Sequence, residues 1–237
     1  PLASLPLAAQ EPDTTPGRFD LRLRTLLQTG TEGFSHEFAP TLRLSGDNLG
    51  AVLGLVQSSD GRYGQVQDWG FLTGTYYRIT ESGMYGNLGP LGFRAGRFTT
   101  HDVIDSPYGL FLNSSGPTAP LVDINLELAP FSYRTQWIQL TLNSEFGYPN
   151  RGAFVKTYVA ELGKLRVGYQ DASVIDDAVF DFEFFASPMP GFVTQYVNTR
   201  PNLPTAQTGN DNSIMGLFAE WQDDAWSAYG QWLVDDI

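Results

Sequence analysis

The 237-residue sequence contains no cysteine, which excludes a disulfide framework, a thiolate metal site and a cysteine nucleophile. Histidine is nearly absent as well: His36 and His101 are the only two. A serine triad would have to use one of them, and no G-x-S-x-G elbow is present. The pair does not stand in an H-x-x-x-H spacing either, so no zinc site is expected. Neither a P-loop nor a Rossmann fingerprint occurs. Charged residues make up only 17% of the chain, and positive charge is the scarcer sign: 14 Lys and Arg against 26 Asp and Glu give a net charge of -12. Nucleic acid is thereby excluded as a partner, because its phosphates require a basic surface. No apolar run approaches the roughly 20 residues that a transmembrane helix needs.

What is abundant is glycine and aromatic residues, with Gly 25, Phe 16, Tyr 11 and Trp 5, at a mean hydropathy of -0.19. That is too aromatic and glycine-rich for a helical bundle and too polar for a helical membrane protein. Membrane-spanning β-barrels have this character because alternate residues face lipid and lumen, so hydropathy averages out.

Alternation is plain near the end of the chain, in residues 209–237, and clearest in 121–128. Trp226, Ala228, Gly230, Trp232 and Val234 fall on one side of a strand, with Ser227, Tyr229, Gln231 and Asp235 on the other. A period of two with aromatics opposite carboxylates and amides predicts a strand between lipid and water. The same rhythm appears at 18–28, where Phe19, Leu21, Leu23, Thr25 and Leu27 alternate with Asp20, Arg22 and Arg24. Further strands are expected at 36–45 and 49–57, joined by the turn Gly46-Asp47-Asn48, and at 69–80 and 90–99. In 121–128, Val122, Ile124, Leu126 and Leu128 oppose Asp123, Asn125 and Glu127. Residues 134–143 return with Gln136, Ile138, Leu140 and Leu142 as the greasier side.

Residues 152–162 read either way. Placing Phe154 and Tyr158 toward lipid would put Lys156 there too, at roughly 2–4 kcal/mol near the midplane, so Val155, Thr157 and Val159 are the expected lipid face. In 164–170, Leu165, Val167 and Tyr169 face out, with Lys164, Arg166 and Gln170 facing in. Residues 173–190 are the one expected helix, packed inside or against a barrel mouth, and 192–197 reads as strand-like. The Pro- and Gly-rich stretch 100–120 is expected to be functional or partly folded inward.

The expected fold class is therefore all-β, an antiparallel transmembrane β-barrel incomplete in this chain, with about eleven strands, a short inward-packed helix and long loops. Residues 1–9 resemble the end of a secretory signal peptide cleaved near Ala9, 10–17 form a linker, and 18–237 form the barrel, with closing strands expected beyond Ile237. The implied location is the bacterial outer membrane, with its lipid as a partner.

Candidate chemistry is sparse. The acid pairs Asp176-Asp177, Asp223-Asp224 and Asp235-Asp236, and the spaced Asp102 and Asp105, could serve calcium or, across space, glycoside hydrolysis. Turn and helix-start positions explain the first two pairs better. No catalytic residues, cofactor or metal are assigned. The most informative set is the inward-facing charge: Arg22, Arg24, Arg94, Lys164 and Arg166 with Asp20, Asp123 and Glu127. Opposed charges lining a lumen can bind anionic sugars, or can simply neutralise one another.

Four strings carry a family likeness: Gly168-Tyr169-Gln170-Asp171; Phe184-Phe185-Ala186-Ser187-Pro188-Met189-Pro190; Asn210-Asp211-Asn212 with Met215-Gly216-Leu217; and Tyr229-Gly230-Gln231 with Asp235-Asp236. In order and spacing over about the last 70 residues the chain resembles the Wzi-like outer-membrane barrels of capsule assembly, including spirochaete and Bacteroidetes-type relatives. The resemblance implies an occluded, exported barrel that helps anchor acidic polysaccharide, and marks Asp211, Asn212, Asp235 and Asp236 as family-like positions. A non-enzymatic polysaccharide-organising barrel is thus the first expectation. A porin-like channel for small solutes is the second, and a soluble exported β-sandwich that binds or hydrolyses glycans is the third.

Overall fold

The computed structural model describes residues 17–30, 33–59, 75–104, 106, 108–112, 116, 118–143, 149–176, 178–198 and 212–235. It is all-β. Eleven strands run in chain order: β1 (Arg18–Gly30), β2 (Gly33–Ser45), β3 (Leu49–Ser58), β4 (Tyr76–Leu88), β5 (Leu91–Phe98), β6 (Ala119–Leu128), β7 (Phe131–Thr141), β8 (Arg151–Leu162), β9 (Leu165–Asp176), β10 (Asn212–Gln222) and β11 (Ser227–Asp235). Two short helices, α1 (Phe182–Ala186) and α2 (Gly191–Asn198), stand between β9 and β10. In the sheet each strand lies beside its neighbour in sequence. The chain forms two compact units, Pro1–Asn87 with Gly96–Phe98, and Leu88–Ala95 with Thr99–Ile237.

In the first unit the register places Phe19, Leu21 and Leu23 opposite Leu44, Leu42 and Pro40. Leu44 and Leu42 in turn oppose Ala51 and Leu53 of β3, and Ala51 opposes Met84 of β4. Residues paired across strands share a face, so these side chains make one apolar surface. It is solvent-exposed, Phe19 to 64% and Leu23 to 63%. The reverse face carries Asp20, Arg22 and Arg24 of β1 with Glu37 and Arg43 of β2, and Val52 and Val56 of β3, which are buried. Gly50 belongs to this second face, where a Cβ would meet the Tyr85 ring at 2.4 Å. The missing side chain lets Tyr85 lie across β3 and bring its hydroxyl within 3.2 Å of Ser45 Oγ.

The second unit repeats the scheme. One face is a run of Val122, Ile124 and Leu126 opposite Trp137, Thr135 and Tyr133. It continues through Phe154, Lys156 and Tyr158, then Ser173, Asp171 and Tyr169, and Met215 and Leu217, to Val234 and Trp232. The other carries Asp123, Gln136 and Val155 in one row and Asn125, Arg134 and Thr157 in the next, ending on Glu220 and Phe218 opposite Tyr229 and Gln231. Each face has its own buried cluster: Phe154, Ile175, Phe184 and Phe185 on the first, and Val103, Ile104, Val159 and Phe218 on the second.

Connections at the two ends of this unit's strands differ in length. Tight turns join β6 to β7, β8 to β9 and β10 to β11, whereas long segments join β7 to β8 and β9 to β10. The β6–β7 and β8–β9 turns, and the turn between β4 and β5, are each tied to the strand beyond: Pro130 O accepts from Glu161 N (2.8 Å), Lys164 O from Gln222 N (3.0 Å) and Pro90 O from Glu127 N (2.9 Å). In the first unit Asn48 O accepts from Asn87 N in the same manner (2.9 Å). These bonds satisfy carbonyls that a turn would otherwise leave unpaired and fix the stagger of successive hairpins.

Five expectations are corrected. In β8 the side chains on the Val122–Leu217 face are Phe154, Lys156 and Tyr158, not Val155, Thr157 and Val159, because Lys156 is sheltered there by a covering segment. In β7 it is Trp137 and Thr135 that join that face, while Gln136 and Ile138 join Asp123 and Leu121. The single helix expected over 173–190 is replaced by the end of β9, which keeps pairing through Val174 and Ile175, and by the one-turn α1. The strand-like 192–197 is helix α2, and both helices pack on the face opposite Asp123 and Arg134. The expected strand at 69–80 begins within the described residues only at Tyr76, and β4 continues to Leu88 through Gly83 and Gly86. The signal-peptide stretch 1–9 and most of the linker lie outside the described residues.

Candidate functional site

The charges expected to line a lumen fall into several separate arrangements. In the first unit Arg22 Nε donates to Asp20 Oδ2 at 3.0 Å and Arg24 Nη2 to Glu37 Oε1 at 2.6 Å. Both arginine side chains are largely exposed, so these pairs form in a high dielectric and each contributes at most about 1 kcal/mol.

In the second unit Asp123 is buried and serves two arginines. Arg94 donates through Nε and Nη2 to Oδ2 (3.1 and 2.6 Å). Arg134 donates through Nε to Oδ1 (2.9 Å) and through Nη2 to Oδ2 (2.6 Å), and its Nη1 reaches His101 O at 3.3 Å. Sequence reasoning passed over Arg134; its position opposite Asn125, one row from Asp123, was the available signal. Glu127 is exposed near the tight-turn end and accepts from Asn125 Nδ2 at 2.8 Å. Arg166 Nη1 bonds Glu220, and its Nε lies 3.8 Å from Glu161.

Lys164 sits in a tight turn, not on a strand face, and its Nζ is 2.6 Å from Asp223 Oδ1. The Lys164 ammonium and the Asp224 backbone N–H hold the Asp223 carboxyl below the usual carboxylate range. This explains one half of the Asp223-Asp224 pair as turn chemistry.

Against the Asp123 face lie the described residues of 99–112, within the stretch expected to be irregular. Asp102 is fully buried within it. Its carboxylate accepts from Val103 N (2.7 Å) and Phe111 N (3.3 Å), closing the segment on itself. Gln231 Nε2 of β11 donates to the same carboxylate at 3.3 Å, and Gln231 Oε1 accepts from Leu110 N at 3.0 Å. Ser106 Oγ lies 2.6 Å from Tyr229 Oη. With Val103 and Ile104 packed on Val159 and Phe218, the segment is anchored to the polar face by both apolar and polar contacts.

No family model matches the chain, and no curated protein matches it. Two of the family-like positions are described, both at the same end of the β10–β11 hairpin. Asn212 is exposed at the start of β10, Asp235 is exposed at the end of β11 opposite Ile214, and Asp211 and Asp236 lie outside the described residues. Asp176 ends β9, and Asp177 and Asp105 are also outside them. His36 Nδ1 is 3.1 Å from Ser59 Oγ, a local contact between β2 and the residue after β3. Among the described residues no group of three or more His, Asp or Glu is placed to hold a metal ion, and no helix is long and apolar enough to cross a membrane.

Opposite Asp123, on the Val122–Leu217 face, a different polar group is buried: Thr135, Lys156 and Asp171, with Tyr133 and Tyr158 partly covered. Each turns a polar atom to the segment 178–198. Thr135 Oγ1 donates to Phe185 O (3.0 Å), Tyr133 Oη to Ser187 O (3.4 Å), Tyr158 Oη to Pro188 O (2.8 Å) and Lys156 Nζ to Met189 O (2.5 Å). Asp171 Oδ1 accepts from Gly191 N at 3.0 Å, and Trp137 Nε1 bonds Val179 O. Gly191 is required here, since a Cβ would stand 2.3 Å from Ser173 Oγ and 2.9 Å from Asp171 Oδ1.

Proposed function

We propose that the chain forms the wall of a non-enzymatic bacterial outer-membrane β-barrel that binds or organises acidic surface polysaccharide. The observation that carries the membrane part is the exposed apolar face in each unit: Phe19, Leu21 and Leu23 in one, Leu217 and Trp232 in the other, all more than half exposed. The opposite faces hold the ion pairs. Water would penalise such an arrangement by roughly 25 cal/mol per Å² of apolar surface, whereas lipid favours it. Tight turns at one end of the strands and long segments at the other agree with periplasmic turns and extracellular loops. Trp221 and Trp226 stack at 6.4 Å beside one such turn, a position suited to the membrane interface.

The polysaccharide part rests on the Wzi-like strings in β9, α1 and β11 and on the exposed guanidinium groups of Arg22 and Arg24. Arg22 and Arg24 remain largely exposed although each pairs with a carboxylate, whereas Arg94, Arg134 and Arg166 are mostly covered where they pair. The packing of Thr99–Leu112 over the polar face favours an occluded barrel above a conducting one. Fractionation and glycan retention test the reading together. The protein should remain in the outer-membrane fraction after a carbonate wash, and the double variant Arg22→Ala/Arg24→Ala should retain less of an acidic capsular glycan than wild type. Release as a soluble periplasmic protein would overturn the membrane assignment; unchanged glycan retention would overturn the polysaccharide role.

A further inference from the structure

We infer that the segment 178–198, which contains α1 and α2, lies on the lipid side of β6–β10 and is itself a membrane-contacting element. Its outer residues face acyl chains, and its backbone is solvated by the strands beneath. The inference rests on the membrane reading and specifies what that face touches.

Three observations carry it. The segment covers the same face that displays Leu126, Leu217 and Trp232, and not the face of Asp123 and Arg134. Its outward side is almost free of charge. Phe180, Phe182, Ala186, Pro188, Met189, Phe192, Tyr196 and Val197 are exposed, with Phe182 at 72% and Tyr196 at 63%, and Glu183 is the one charged side chain in the exposed class there. This surface continues the exposed apolar band of the strands, so one medium serves for both.

The third observation is the accounting of backbone polar groups. Irregular backbone does not survive against lipid unless the protein satisfies it. Of residues 187–190, Ser187 N donates to Glu183 O and Pro190 O accepts from Val193 N and Thr194 N at the helix ends, whereas the carbonyls of Ser187, Pro188 and Met189 turn to the strands. Tyr133, Tyr158 and Lys156 donate to the carbonyls of Ser187, Pro188 and Met189, Thr135 donates to Phe185 O, and Asp171 accepts from Gly191 N. Polar side chains are scarce elsewhere on this face and are concentrated where the segment's unpaired groups arrive.

Depth agrees with this. Lys156 stands six residues before Leu162, the last residue of β8, or roughly 20 Å along the strand at about 3.3 Å per residue. With strands tilted by ~45°, that is ~14 Å from the turn end, inside an apolar band ~25 Å tall.

Because the chain has no cysteine, single spin labels can be placed without removing native thiols. Phe192→Cys and Tyr196→Cys would be labelled in the full chain reconstituted in phosphatidylcholine vesicles, with Leu217→Cys as the strand-face reference and Glu127→Cys as the reference on the polar face. Accessibility to oxygen, which partitions into lipid, is compared with that to a water-soluble nickel chelate. The expected result is a Phe192 and Tyr196 oxygen-to-nickel ratio matching Leu217 and several-fold above Glu127. Nickel-dominated labels at 192 and 196 beside a lipid-facing Leu217 would overturn the inference and leave the membrane reading standing. Labels at 192 and 196 that neither reagent reaches would also overturn it, indicating a protein partner on this surface. A water-exposed Leu217 would overturn the membrane reading itself.

Discussion

Lys156 of β8 and Asp171 of β9 are directly paired across the sheet, on the face that elsewhere carries Leu126, Leu217 and Trp232, and both are buried. Opposite charges at adjacent positions lower the cost of burying either one, but their hydrogen bonds run to a third party. Lys156 donates to Met189 O and Asp171 accepts from Gly191 N, so the pair brackets Pro190 and clamps the segment between α1 and α2.

The clamp predicts a local loss of protection. Lys156→Met keeps the length of the side chain but removes the donor, leaving Met189 O without that partner and Asp171 without its neighbouring charge. The expected cost is about 1–3 kcal/mol, read as a lower urea midpoint in detergent micelles. Faster hydrogen exchange should be confined to the Gly191 amide and its neighbours. The double variant Lys156→Met/Asp171→Asn should recover part of the loss, because it leaves no unpaired charge.

On the other face, Asp123 accepts from both Arg94 and Arg134. Asp123→Ala leaves two guanidinium groups facing each other in a partly buried site and should destabilise by about 3–5 kcal/mol. Arg94→Ala should cost less, since Arg134 still pairs with the carboxylate. Thermal unfolding of the two variants in the same detergent gives the order directly.

The Lys164–Asp223 contact makes a pH prediction. Folding lowers the Asp223 carboxyl below its ordinary value of 3.8. The contact is therefore fully present above that ordinary value and is lost as pH falls through the lowered one. A carbon-detected NMR titration should place the Asp223 midpoint below 3.8, and Lys164→Gln should move it upward. The contact lies in surface turns with the Lys164 side chain more than half exposed, so added salt should weaken the shift.

Anchoring of Thr99–Leu112 to β11 predicts an electrical consequence. Gln231→Leu removes the bonds to Asp102 and Leu110, and Tyr229→Phe removes the bond to Ser106. The double variant should release the segment from the polar face. Planar-bilayer recordings should then show larger or more frequent open steps than wild type, which should be nearly silent. Equal silence in both would show that these contacts do not control the lumen.

Much of the architecture was legible in the sequence. Strict alternation at Phe19–Leu27 and Val122–Leu128 reports a strand between unlike media without reference to any other strand. The turns at Gly46-Asp47-Asn48 and Gly163-Lys164 are local backbone chemistry. Arg134 shares a period of two with Gln136 and Ile138, the expected greasier side of their strand, whereas the register places all three on the Asp123 face. Residues 81–88 lie beyond the strand expected at 69–80, and the structure pairs them with β3 through Gly83 and Gly86.

The facing of β8 and the placement of the helices could not be read locally. A buried lysine is costly toward lipid, and from the strand alone the cheaper solution is to turn it inward. The protein instead keeps Lys156 on the apolar face and covers it with a segment more than 30 residues downstream. The sequence by itself determined which residues alternate, where several of the turns fall and that no thiol is present, because those follow from composition and nearest neighbours. Only the tertiary structure decided which side of β7 and β8 is which. Register is set by pairing with β6 and β9, and the cost of a charge depends on what finally covers it.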